Sequence, residues 1–171
     1  MGVHPRRQLP LPGQESVWDY PRPPRLEPFD GEITVELGGE VIAATPRGWR
    51  VLETSHPPTY YLPREAFGPG VLRDAAGSSW CEWKGRARYF DLVSGDLVSG
   101  SAVALKAAWG YPDPTPGFEP LRDAVAVMAG LVDRCTVDGE TVVPQPGGFY
   151  GGWITSRVVG PFKGGPGTTG W

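Results

Sequence analysis

The chain has 171 residues, of which 40% are hydrophobic and 20% charged, a balance that suits one globular domain with a sizeable core. Its net charge of -3 gives no basic footprint for nucleic acid, and no apolar run approaches the roughly 18 residues of a membrane helix. The first residues, Met1 to Gln14, are rich in proline and arginine without an apolar signal core, so a flexible tail and a cytoplasmic location are expected, with neither nucleic acid nor membrane as partner.

The chain contains two cysteines, Cys81 and Cys135, and no C-x-x-C pair. A disulfide framework is therefore not expected, and no metal site or cofactor either. Histidine occurs only at His4 and His56, so imidazole chemistry falls to His56. Asparagine is absent, which excludes N-glycosylation and a Cys-His-Asn triad. Arginine outnumbers lysine thirteen to three, the bias of a GC-rich genome.

Short apolar segments punctuated by glycine and proline predict a mainly β domain with many turns. Residues 15–28 form a proline-rich arm, with Tyr20 to Pro24 extended. Ile33, Val35 and Leu37 alternate with acidic residues and threonine as a half-buried strand. Gly38-Gly39 is a hairpin turn to a second strand, Val41 to Thr45. A third strand runs from Gly48 to Thr54, and Thr59 to Leu62 is a fourth, after which Pro63 opens one helical turn to Phe67. Trp80 to Asp91 reads as one strand. Its alternation sets Cys81, Trp83, Gly85, Ala87 and Tyr89 against Glu82, Lys84, Arg86 and Arg88, with Gly85 able to bulge it.

Residues 91–95 and 96–100 are identical, each Asp-Leu-Val-Ser-Gly, a duplication expected to lengthen a hairpin loop. Ala102 to Trp109 is the next strand. Gly117 to Asp123 forms a short helix and Ala124 to Leu131 favours strand. Asp138-Gly139 is a second hairpin turn. Residues 144–171 are rich in glycine, proline and aromatics and are expected to wrap the domain, which spans 15–171.

Four strings carry a family resemblance. They are Glu15-Ser16-Val17-Trp18-Asp19-Tyr20-Pro21-Arg22-Pro23-Pro24 and Leu52-Glu53-Thr54-Ser55-His56-Pro57-Pro58-Thr59-Tyr60-Tyr61-Leu62-Pro63, then Cys81-Glu82-Trp83-Lys84-Gly85-Arg86-Ala87-Arg88-Tyr89 and Trp109-Gly110-Tyr111-Pro112-Asp113-Pro114. Together with the ending they resemble the actinobacterial type of domain of unknown function 427, also labelled nucleotidyltransferase-like. The resemblance implies a compact antiparallel sheet of Mss4-like or β-tent architecture with one or two short helices. Relatives of that architecture often hold a zinc ion on paired C-x-x-C motifs. This chain lacks the pairs, so no zinc is expected. The nucleotidyltransferase label has no support in the residues: there is no Walker-type loop and no D-x-D after a Gly-Ser string.

The candidate chemistry gathers on the strand ends. Glu53, Ser55, His56, Tyr60 and Tyr61 lie within nine residues. His56 can act as a general base oriented by Glu53, or it can cap the Pro57-Pro58 turn. Cys81 is either a nucleophile or a packed core thiol. Lys84 is either an anion partner or part of a solvated strand face with Arg88. Arg64 adds a second cation, and Tyr89, Trp109 and Tyr111 can line a pocket or fill a core.

Three functions remain open. The first is a small-molecule-binding β domain, with enzymatic use of His56, Glu53, Lys84 or Cys81 as one form of it. The second is an interaction module binding a protein partner or a second copy of the chain as a homodimer. The third is nucleotide binding, on the family label alone.

Overall fold

The Gly38-Gly39 turn lets the two longest strands fold back on each other, because both glycines adopt left-handed backbone (φ 62° and 79°). In a computed structural model that describes residues 5–96 and 100–171, thirteen strands follow in order. They are β1 (Glu15–Ser16), β2 (Arg25–Leu37), β3 (Glu40–Leu52), β4 (Thr59–Pro63), β5 (Leu72–Cys81), β6 (Gly85–Asp96), β7 (Gly100–Gly110), β8 (Ala124–Val127), β9 (Arg134–Val137), β10 (Glu140–Thr141), β11 (Val143–Pro144), β12 (Trp153–Ile154) and β13 (Val158–Val159). Nine of them form one antiparallel sheet in the order β10-β9-β2-β3-β4-β8-β7-β6-β5. Helix occurs only as 3-10 turns among the described residues, at Val17–Asp19, Arg64–Ala66, Glu119–Asp123 and Ala129–Leu131. The mainly β antiparallel class expected from the sequence is the class observed.

Strand periodicity divides the interior into two. Tyr60 and Leu62 of β4 and Val125 and Val127 of β8 point into the larger core, with Phe29, Ile33, Val35, Phe90 and Leu92. Their neighbours Tyr61, Ala124 and Ala126 point the other way, into a smaller core with Val51, Ala87, Tyr111 and Leu121. Successive residues of a strand lie on opposite faces of its sheet, so both faces of β4 and β8 are covered. A third cluster joins Val17 and Tyr20 to Leu52 and Val158.

Several local expectations change. The two strands expected at 41–45 and 48–54 are one strand, β3, which runs through Pro46 and ends at Leu52. The register shifts between Asp30 and Ile33, where Asp30 pairs with Arg47 and Ile33 with Thr45. Pro46 therefore sits opposite a bulge, where its missing N–H removes no ladder bond. Strand β2 takes in residues 25–28 of the proline-rich segment.

Trp80 to Asp91 is two strands rather than one. The chain turns at residues 82–84, and Cys81 pairs with Gly85. Gly85 adopts φ 108°, and Asp113 O lies 3.1 Å from where a side-chain Cβ would sit, a conformation that glycine alone takes without strain. Strand β5 was not visible in the sequence because it is a sheet edge: most of its residues are exposed and small or polar, so no alternation marks it. The first Asp-Leu-Val-Ser-Gly copy lengthens strand β6 rather than a loop, pairing with β7 from Leu92 to Gly95. Residues 97–99 of the second copy lie outside the described residues.

Residues 144–171 lie along the sheet. Trp153 is 1% exposed and stacks on Tyr60 with ring centroids 5.3 Å apart. Its Nε1–H donates to Val127 O at 2.9 Å. Arg50 makes the second tie, holding Glu15 of β1 and Glu27 of β2 from a site only 8% exposed. Replacing Trp153 by alanine removes the ring, its stacking and its hydrogen bond together. Trp153→Ala is expected to lower the unfolding free energy by about 3–5 kcal/mol in urea. A loss below about 1 kcal/mol would mean that the segment is not anchored there.

Candidate functional site

The residues singled out in the sequence fall into three neighbouring places and two ordinary ones. Tyr60 is a core residue, stacked on Trp153 and edge-on to Phe29. Tyr89 hydrogen-bonds Ser79 through its hydroxyl at 2.7 Å across the β5–β6 pair. The remaining residues are distributed around strand β4.

The first place is the loop after β3. Ser55 is fully buried in left-handed backbone (φ 71°). Its N–H donates to Val17 O at 3.0 Å and its carbonyl accepts from Lys163 N at 2.9 Å. The loop is thus clamped between the front and the back of the chain. Gln145 continues the clamp. Its Oε1 accepts from Gly152 N at 3.0 Å and its Nε2 donates to Lys163 O at 2.8 Å. These two bonds fix the amide, so the second Nε2 proton goes to His56 Nδ1 at 3.0 Å. The imidazole proton then sits on Nε2, facing Glu53 Oε2 at 3.5 Å. Glu53 also pairs with Arg22 at 3.2 Å, and Tyr150 packs edge-on against the His56 ring at 4.7 Å.

Burial, aided by the charges of Lys163, Arg22 and Lys84, pushes His56 down to about 4 from the usual 6.5. The imidazole is a neutral tether whose basic nitrogen is already engaged by Gln145. A general base needs that lone pair free, so this arrangement favours the capping role over the catalytic one.

The second place is the face of β4 opposite Tyr60. Tyr61 is fully buried. Its hydroxyl has no hydrogen-bond partner within 3.5 Å among the described residues; the polar groups of Trp109 and Tyr111 reach it only weakly, and Cys81 lies beside them. Burial pushes the Tyr61 and Tyr111 phenols well above their ordinary range, so both stay protonated donors. The Lys84 ammonium lies 5.4 Å from the centre of the Tyr111 ring and has no carboxylate within 4.0 Å among the described residues. Simple alternation had set Cys81 and Lys84 on opposite faces of one strand. The turn at 82–84 brings both to the Tyr111 side chain instead. Thr115 holds that turn, donating from its hydroxyl to Trp83 O and from its N–H to Lys84 O at 3.1 Å. Trp109 lies directly over Gly151, where a side chain would collide with the indole. Gly151 follows Tyr150, so this face and the His56 clamp adjoin.

The third place is a cleft between the turn after β4, strand β6 and the start of β8. Arg64, Arg88, Phe90, Tyr111, Arg122 and Asp123 line it. Tyr111 contributes to this cleft and to the Tyr61 face.

Sequence reasoning missed Arg22, Gln145, Tyr150 and Lys163 at His56, and Arg122 in the cleft. Gln145 and Lys163 lie in a Gly/Pro-rich segment with no local motif, and their contacts span long stretches of chain. Arg122 follows Leu121 in the short helix that was anticipated, but nothing local sets its direction.

The His56 arrangement has a defined acid response. Between about pH 6.5 and 4 the unfolded chain takes up a proton that the folded chain refuses. The stability contribution is therefore complete above pH 6.5 and is lost as pH falls towards 4. It amounts to roughly 3 kcal/mol at full loss. An NMR titration should show one imidazole resonance, missing in His56→Gln, that keeps its neutral shift down to pH 5. A midpoint near 6.5 for that resonance would remove the tether from the account.

Two comparisons bear on identity. No curated protein matches the chain. The family profile described as domain of unknown function (DUF427) matches residues 25–138, from the start of β2 through β9 and so across Tyr61, Cys81, Lys84 and Tyr111. By that match over most of its length, the chain belongs to the DUF427 family.

Proposed function

We propose that the chain is a small-molecule-binding β domain whose ligand occupies the Tyr61 face of the sheet. Lys84 is the charge partner, Tyr61 and Tyr111 are the hydroxyl donors, and Trp109 is the stacking wall. The ligand is an organic anion with a flat apolar part. The observation that carries this reading is the Tyr61 hydroxyl, buried with no partner within 3.5 Å among the described residues. Such a group costs about 1–3 kcal/mol, and native structures keep few of them without a reason. A ligand oxygen accepting from it recovers that cost.

The surrounding chemistry supports the same reading. Tyr111 and Trp109 offer aromatic surface. Lys84 has no acid partner among the described residues and leans on Tyr111, a position that suits a carboxylate or other anionic group of the ligand. Cys81 is a free, half-buried thiol at the edge of the same face, close enough to touch a ligand there. Glu53 and Ser55 support this place indirectly, through the His56 clamp that adjoins it.

A thermal-shift screen of aromatic and aliphatic organic acids tests this. A true ligand at about 100 times its dissociation constant stabilises the fold by roughly 2.7 kcal/mol. The expected result is a rise in Tm for at least one acid, largely lost in Lys84→Met. A flat response across the acids, or a rise that survives Lys84→Met unchanged, would contradict the reading.

A further inference from the structure

Three arginines from separate parts of the chain meet at one small cleft. Arg64 comes from the turn after β4, Arg88 from β6 and Arg122 from the turn before β8. Arg64 and Arg88 flank one buried ring, with guanidinium carbons 5.1 and 6.0 Å from the centre of Phe90. Only Arg88 has an acid partner among the described residues, Asp74 at 2.9 Å. Asp123 lines the cleft but lies within 4.0 Å of no cation among them. Of the residues that line the recess, three are arginines and one, Asp123, is acidic; Asp74 pairs with Arg88 from outside it and Glu119 lies near Arg122. Like charges held together at a recess cost free energy that an anion would relieve.

The size of the recess limits the occupant. It leaves about 30 Å³, room for roughly two water molecules. That holds the oxygens of one compact group, with the rest of any larger molecule left outside. Guanidinium forks match the oxygens of a tetrahedral oxyanion in paired hydrogen bonds, and three of them approaching from different elements suit a dianion better than a single carboxylate. We infer that this cleft binds a phosphoryl group, supplied either as free phosphate or as a phosphate monoester. The site shares Tyr111 with the Tyr61 face but does not depend on it, since its charges come from Arg64, Arg88 and Arg122.

Calorimetric titration at constant ionic strength tests the assignment with inorganic phosphate, phenyl phosphate and acetate. Saturable binding of at least one phosphate is expected, with affinity reduced at least tenfold in Arg64→Gln and in Arg122→Gln. Both arginines are exposed, so both variants should melt near the parent temperature. Arg122→Lys keeps the charge without the fork and should fall between parent and Arg122→Gln. Tighter binding of phenyl phosphate identifies a monoester as the natural source, and equal binding identifies free phosphate. Lys84→Met should bind phosphate as the parent does, which separates this site from the one on the Tyr61 face. Absence of saturable binding, acetate binding as tight as phosphate, or phosphate binding unchanged in Arg64→Gln and Arg122→Gln would each overturn the inference.

Discussion

Two successive tyrosines on β4 must point to opposite faces of the sheet, and much of the molecule is arranged around that constraint. Tyr60 enters the larger core and gives Trp153 a surface to stack on. Tyr61 enters the smaller core, among Tyr111, Trp109 and Cys81. Neighbouring strands repeat the division, Val125 and Val127 following Tyr60 while Ala124 and Ala126 follow Tyr61. The small alanines on the second face leave space for the aromatic rings gathered there. Close packing fills the first face with branched side chains and rings. The second face instead retains a hydroxyl with no partner within 3.5 Å and an ammonium with no carboxylate partner among the described residues.

The chain's later segment completes this scheme. Trp153 closes the larger core from outside, and Gln145 and Lys163 bind the loop after β3. His56 belongs to that closure. Keeping it neutral costs the protein acid stability, yet its ring joins the loop after β3 to the later segment through Gln145 and Tyr150. A buried polar network of this kind is favourable only when its members are satisfied. Gln145 meets the condition with both amide protons and its oxygen engaged. Ser55 Oγ and the Tyr61 hydroxyl do not. Ser55 is explained by the loop, whose backbone is held at both groups. Tyr61 has no such structural employment.

How far the sequence could be read depended on the range of each signal. Hairpin turns are written in adjacent residues, so Gly38-Gly39 and Asp138-Gly139 were legible, as was the turn opened by Pro63. Pro46 misled because its tolerance in β3 depends on a bulge in the partner strand. The Trp80 to Asp91 segment misled because its alternation continues across a turn that Gly85 and Thr115 impose. Tyr61, Cys81, Lys84, Trp109 and Tyr111 were all candidates, but their meeting depends on that turn and on the order of β4, β8, β7 and β6. The meaning of His56 was hidden in Gln145 and Lys163, which no local pattern ties to it. The cleft was half visible, through Arg64 and Arg88.

The Tyr61 hydroxyl is the point on which the functional account rests, and one substitution addresses it. Tyr61→Phe removes one oxygen and leaves the ring in place. If the hydroxyl is unpartnered in the free protein, its removal should leave the urea unfolding free energy unchanged or raise it by up to about 1 kcal/mol, while weakening the response to any organic acid that stabilises the parent. A destabilisation of more than about 1 kcal/mol in the free protein would show that the hydroxyl already has a partner, and the Tyr61 face would lose its claim to a ligand.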